Sequence, residues 1–214
     1  MKKGVIFDLD GTLWDAADQI VVSWNQTILR FPEVREVLTR KRLEEELGKP
    51  MDQIAVSLFP YLSYQRAVEI INVCGEDENR YLKEHGAVLY QGLEESFKVL
   101  SEDYPLYIVS NCQRGYIEAF LEYYRFTGYF QDTECYGNTQ KSKGDNIRSL
   151  LQRNQIDRAV YVGDTMGDYE ACRQAGIPFI WASYGFGEVR EADAEISSIL
   201  ELPKILKHIW NQLF

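Results

Sequence analysis

Three short apolar runs, Val5-Ile-Phe7, Leu106-Tyr-Ile-Val109 and Ala159-Val-Tyr-Val162, each stop abruptly at polar residues. Runs this short, bounded by turn signals, read as buried strands. Helix-period stretches of ten or so residues lie between the later runs, and such alternation builds a parallel sheet wound on both faces by helices. In a parallel sheet the carboxyl ends of the strands share one edge. The residues that close the runs, Asp8-Leu-Asp10-Gly, Ser110-Asn111 and Gly163-Asp164, therefore converge although they are far apart in the chain. That edge is where open α/β sheets bind ligands.

The pattern predicts an α/β fold, a doubly wound, Rossmann-like parallel sheet carrying an all-helical insert. Helices are expected over 15–30, 33–47 and 63–85, the last either one long helix or a pair interrupted near Gly75, and Gly48-Lys49-Pro50 breaks the second. No strand-like alternation occurs between Trp14 and Val88. Residues 1–14 and 89–214 are thus assigned to the core and 15–88 to the insert. In the core, helices are expected over 93–102, 114–125, 144–153 and 167–175, with further strands near 133–136 and 177–181.

Composition narrows the function. A chain of 214 residues, 45% hydrophobic, can bury one sizeable core or a core with a smaller insert. The formal charge of −10 repels phosphate backbones, so a nucleic-acid platform is not expected. No eighteen-residue apolar run is present, and the apolar stretch after Met1-Lys2-Lys3 is too short for a signal-peptide core. Cys74, Cys112, Cys135 and Cys172 form no Cys-x-x-Cys pair, which fits reduced thiols in a cytoplasmic protein. His85 and His208 lack evident partners and are read as structural or solvent-facing.

Asp8 and Asp10 repel each other and need a shared cation, a shared proton or open water. The second acidic cluster, Asp164-Thr-Met-Gly-Asp168, has an ordinary reading as a helix start, with Asp164 or Thr165 as N-cap and Asp168 in the first turn. Both clusters, however, close core strands, where burying several carboxylates without compensation is very costly. A hard divalent cation offsets that cost. Mg²⁺ held by Asp8, Asp10, Asp164 and Asp168 is the expected cofactor. Phosphoryl transfer then needs a nucleophile, an acid/base, a cation and donors for the phosphoryl oxygens. Asp8 can be the nucleophile and Asp10 the acid/base. Ser110 and Asn111 can hold phosphoryl oxygens, and Lys141 or Lys143, just before helix 144–153, can supply the positive charge. Thr12 is read as a turn residue able to steady Asp10.

With these pieces in order, the sequence resembles the haloacid dehalogenase superfamily, in its phosphoglycolate-phosphatase-like branch. Asp8-Leu-Asp10-Gly-Thr-Leu matches that family's first motif, Ser110 its second, a lysine its third and Asp164-x-x-x-Asp168 its fourth. Ala171-Cys-Arg-Gln-Ala-Gly-Ile-Pro and Tyr184-Gly-Phe-Gly are similar to the same branch, and the helical insert matches its cap. The resemblance implies Asp8 as nucleophile and metal ligand, Asp10 as acid/base, Asp164 as direct ligand, and Asp168 outside the metal or orienting the lysine. It favours Lys143 over Lys141 through its spacing to Ile147, although the usual following proline is absent. Asp10 speaks against dehalogenation, which needs no acid for an alkoxide leaving group, and for phosphate ester hydrolysis, which does. Lys49 in the cap loop and Arg114 after the second strand are candidate substrate contacts. The expected function is a Mg²⁺-dependent phosphatase of a small phosphorylated metabolite, phosphoglycolate-like or a sugar phosphate, acting through an aspartyl-phosphate as a monomer or weak homodimer. A sugar-phosphate mutase, a pyrophosphatase or a nucleotidase on the same scaffold, and a non-catalytic binding protein, are the alternatives.

Overall fold

A computed structural model describes residues 1–212. The chain runs through β1 (Lys3–Phe7), β2 (Trp14–Asp15), α1 (Ala17–Ile28), α2 (Arg40–Glu44), α3 (Met51–Leu58) and α4 (Tyr64–His85). It continues through β3 (Val88–Leu89), α5 (Leu93–Asp103), β4 (Leu106–Ser110), α6 (Tyr116–Tyr124), β5 (Phe130–Cys135) and α7 (Tyr136–Thr139). Last come α8 (Lys143–Arg153), β6 (Arg158–Gly163), α9 (Met166–Ala175), β7 (Phe179–Ala182), β8 (Ala194–Ile196) and α10 (Leu202–Gln212).

Six parallel strands form one sheet in the order β5-β4-β1-β6-β7-β8. Counted along the chain this is the Rossmann order 3-2-1-4-5-6, whose direction reverses between β1 and β6. The loops that follow those two strands carry Asp8 and Asp164. Alternation along β1 separates two apolar layers. Val5 and Phe7 join the cluster that includes Phe97 and Phe120, whereas Ile6 joins Ile147, Leu150 and Tyr161 on the opposite face.

The helices α1 to α4 all lie between β2 and β3, which pair antiparallel with Trp14 opposite Leu89 and Asp15 opposite Val88. These helices are not a separate oil drop. Trp24, Ile54, Ile70 and Ile71 belong to the same buried cluster as Val5 and Phe7. At the base of this region Arg40 reaches Asp15, Asp18 and Glu44 at 2.5, 2.8 and 2.7 Å.

The helical region departs from the sequence expectation over 33–39 and at α3, a helix not expected from the sequence. Residues 33–39 are not helical. Asn25 holds that segment extended by exchanging two 2.8 Å hydrogen bonds with the Leu38 backbone, and Val37 is exposed instead of packed. Of the two readings of 63–85 the single long helix holds: α4 is continuous for 22 residues through Gly75. A Cβ there would stand 3.1 Å from Met51 Cε and 3.2 Å from Gln113 Cγ, so the glycine serves close packing and not a break.

Candidate active site

Asp8 is the first residue beyond β1, and its backbone N–H still joins the sheet by donating to Val162 O at 2.8 Å. Gly11 then turns the chain in a left-handed conformation with φ of 76°. A side chain at that position would place Cβ 2.1 Å from Asp164 Oδ2, so the turn and the second acidic cluster fit together only through a glycine. Gly185 is constrained in the same way by Asp164 and by Gly11 O.

Asp8, Asp164 and Asp168 are all buried, and each offers an oxygen within 4.8 Å of the others. Lys143, the first residue of α8, enters this group from the side. Its Nζ lies 3.0 Å from Asp8 Oδ1 and 2.5 Å from Asp168 Oδ1. Burial would push the amine down, but the Asp168 and Asp8 carboxylates overcome that effect and hold it charged. Burial also raises the Asp8 carboxyl to about 6, with the charge of Asp168 adding to it and Lys143 opposing. Asp164 is pushed well up by burial and by Asp168 and Asp8, against a hydrogen bond from Phe186 N at 2.8 Å. Three carboxylates thus share a single cation, and the raised acids express the deficit. An all-oxygen, charge-deficient group of this kind fits a hard divalent cation such as Mg²⁺.

Asp168 serves the helix start and the charge cluster together. Thr165 caps α9 and forms a reciprocal capping box with it: Thr165 N and Oγ1 donate to Asp168 Oδ2 at 3.0 and 2.8 Å. The other oxygen remains with Lys143. Lys141, the alternative lysine, is exposed.

Asp10, expected among the metal ligands, lies outside the buried trio. Its Oδ1 accepts a 2.6 Å hydrogen bond from the Tyr116 hydroxyl. Burial raises its carboxyl to about 7, against the Tyr116 bond and with help from the charge of Asp8. Thr12 also differs from expectation: its hydroxyl faces Asp164 Oδ1 at 3.4 Å and not Asp10.

A cavity of about 40 Å³ joins Asp8, Asp10, Ser110 and Asn111 to residues of the helical region, among them Trp24, Lys49, Met51 and Glu78. Ser110 is 5% exposed at the end of β4, and its Oγ accepts from Cys112 N at 3.4 Å. The Asn111 side chain donates to Gly48 O at 2.8 Å, so it ties the sheet edge to the loop before α3. Lys49 lines the cavity but is held by Glu46 at 2.8 Å. Arg114 does not line it. It is exposed and borders a different depression with Tyr64 and Tyr136, because the α6 start turns it outward.

Sequence reasoning missed Tyr116, Trp24, Gln113 and Glu78. Glu78 sits in a Glu-Asp-Glu-Asn stretch that reads as a solvated helix face, and only its 2% exposure reveals it. Tyr184, within the Tyr184-Gly-Phe-Gly segment, has a structural task the sequence does not reveal: its hydroxyl donates to Thr12 O at 2.9 Å and anchors the first motif's turn.

The model of the haloacid dehalogenase-like hydrolase family matches residues 5–182. A 5'-nucleotidase of Pseudomonas aeruginosa is 26% identical over 204 residues, covering 89% of this chain and 86% of its own. A phosphoglycolate phosphatase of Escherichia coli is 24% identical, with 98% and 95% covered. The crystal structure of a predicted phosphatase from Clostridium acetobutylicum superposes with a TM-score of 0.79 at 25% identity, covering 97% of this chain and 99% of that one. The chain belongs to the haloacid dehalogenase-like hydrolases, and within them it is similar to the phosphoglycolate-phosphatase-like branch.

Proposed function

We propose that this hydrolase is a Mg²⁺-dependent phosphatase that cleaves small phosphomonoesters through an aspartyl-phosphate on Asp8. The observation that carries the reading is the different surroundings of the two acids. Asp8 lies in the buried trio with Lys143, whereas Asp10 stands two residues away on Tyr116. This separation supports a reading in which one carboxylate attacks and the other transfers the proton.

Asp8, Asp164 and Asp168 would hold the ion, which when bound neutralises charge on the acids and on the phosphoryl group. A carboxylate oxygen of Asp8 attacks phosphorus, and the bond from phosphorus to the ester oxygen breaks. Asp10, with its carboxyl raised to about 7, holds a proton and gives it to that departing oxygen. The resulting Asp10 carboxylate takes a proton from water, whose oxygen attacks phosphorus. The acyl phosphate bond breaks, and Asp8 is regenerated with release of inorganic phosphate. Lys143 and the Ser110 hydroxyl are assigned to the phosphoryl oxygens, with Asn111 backbone beside them.

Residues 15–88 act as the cap in this reading and exclude bulk water during the reaction. Hydrolysis is favoured over the mutase because the relatives carry the names phosphatase and nucleotidase, both of which use water as acceptor. The test is hydrolysis of p-nitrophenyl phosphate and a panel of phosphorylated metabolites with and without Mg²⁺. Asp8→Asn is expected to lower kcat by about 10³-fold or more while leaving the circular dichroism spectrum unchanged. Near-normal turnover by that variant overturns the mechanism.

A further inference from the structure

Helix α4 carries an acid into the roof of the cavity with no cation to meet it. Glu78 is 2% exposed and lines the cavity beside Asp10, Trp24 and Gln113. Trp24 Nε1 donates to its Oε2 at 2.6 Å. The other buried acids among the described residues are compensated differently. Glu46 meets Arg42 and Lys49, Glu134 meets Arg153, and Asp8 and Asp168 meet Lys143. Asp164 completes the trio that suits a divalent ion. Glu78 alone among these acids has neither an ion pair nor a place in that trio, and a buried charge without a partner is expensive. Burial accordingly raises its carboxyl to about 8, against hydrogen bonds with Trp24 and Gln113 and with help from Asp10.

A second group lining the same cavity has an atom without a hydrogen-bond partner. Asn111 Nδ2 is engaged by Gly48 O, a carbonyl that can only accept, so the amide orientation is fixed. Its Oδ1 is then a buried acceptor with nothing donating to it among the described residues. The remaining wall on the helical side is largely apolar, formed by Ile20, Leu43, Met51 and Ile54. Lys49, the cation that lines this cavity from the helical side, is drawn away by buried Glu46.

We propose that Glu78 and Asn111 form the leaving-group subsite, which selects phosphomonoesters whose alcohol part is uncharged or cationic and donates hydrogen bonds. Esters that end in a carboxylate are rejected. The inference rests on the phosphatase reading above and narrows its substrate class. An ammonium group on the leaving alcohol supplies the cation beside which Glu78 can ionise, and a hydroxyl donates to Asn111 Oδ1. A carboxylate brings only acceptors to Asn111 Oδ1, and its charge meets no free cation in a cavity whose lysine is engaged by Glu46. Sites whose buried polar groups are left unpaired by an analogue discriminate strongly against it. This chain would then differ from the phosphoglycolate phosphatases it is similar to.

The experiment compares kcat/KM, with Mg²⁺, for glycerol 3-phosphate, 2-aminoethyl phosphate, 2-phosphoglycolate and p-nitrophenyl phosphate. The wild-type protein is expected to favour the better of the first two over phosphoglycolate by roughly 10²-fold. A preference for 2-aminoethyl phosphate identifies an ammonium as the donor, and a preference for glycerol 3-phosphate identifies a hydroxyl. Glu78→Gln is expected to shrink the ratio at least about tenfold, chiefly through KM. Hydrolysis of p-nitrophenyl phosphate together with equal or better use of phosphoglycolate overturns the subsite and leaves the phosphatase reading intact. An unchanged ratio in a folded Glu78→Gln protein removes Glu78 from the subsite. The wild-type ratio decides the substrate class even if that variant does not fold. Failure to hydrolyse any of the four overturns the phosphatase reading and this inference with it.

Discussion

Glu78 is held neutral by its surroundings, and that has a thermodynamic signature apart from substrate choice. Its carboxyl rises from 4.5 to about 8 on folding, so the folded chain binds a proton that the unfolded chain gives up across that interval. Stability therefore falls as pH rises through the window, because the folded state carries the extra proton. The titratable groups around it are Asp10 from the loop after β1, Cys74 on its own helix and Tyr116 on α6. Glu78→Gln removes the proton uptake. Its melting temperature relative to wild type is expected to climb between pH 6 and 8, read by scanning calorimetry without divalent cations; a constant offset contradicts the assignment. At this scale the sequence was legible where a residue type was tied to a strand end or a helix start. Asp8, Asp164 and Asp168 could be placed together because sheet geometry forces them to one edge. Lys143 needed the family resemblance to be separated from Lys141. The pairing of Glu78 with Trp24 was illegible, since a helix face reveals its buried side only against a neighbour, and the neighbour here is another helix, α1, earlier in the chain.

Among the elements, α4 shows how a residue that weakens a helix can be required by packing. Glycine costs about 1 kcal/mol in a helix interior relative to alanine, yet Gly75 lies where Met51 and Gln113 press on the backbone. Gly75→Val is expected to overpack this contact and lose about 1–3 kcal/mol in urea unfolding. It should also raise KM, because Gln113 lines the cavity. Wild-type stability with wild-type KM would show that the contact yields without consequence. Element reading from the sequence succeeded for the core strands β1, β4 and β6, whose apolar runs are fully buried. It failed over 33–39, where apolar spacing mimicked a helix but Asn25 captured the Leu38 backbone. Strands of two or three residues, β2, β3 and β8, carry too little pattern to be read at all.

For the molecule as a whole, the sheet order concentrates negative charge at its reversal point, between β1 and β6. Folding without a divalent ion leaves three buried acids with one lysine. Mg²⁺ is therefore expected to stabilise the protein, by about 2.7 kcal/mol at a hundredfold excess over Kd. Thermal shift measures this without reference to activity, and Asp164→Asn should lose most of the gain. An unchanged melting temperature on adding Mg²⁺ speaks against an ion at the trio. The parallel, doubly wound sheet was legible in the alternation of runs and helices, but its strand order and the way the helical region joins the core cluster were not, because both depend on contacts between distant segments. The cavity between them, about 40 Å³, has room for a few water molecules and none for a phosphorylated sugar. In the phosphatase reading, each catalytic cycle then includes a breathing motion that admits ester and releases inorganic phosphate. If that motion is slower than the chemistry, turnover is expected to track solvent viscosity: kcat should fall in glycerol or sucrose in proportion to the microviscosity, as for a shutter whose swing sets the pace.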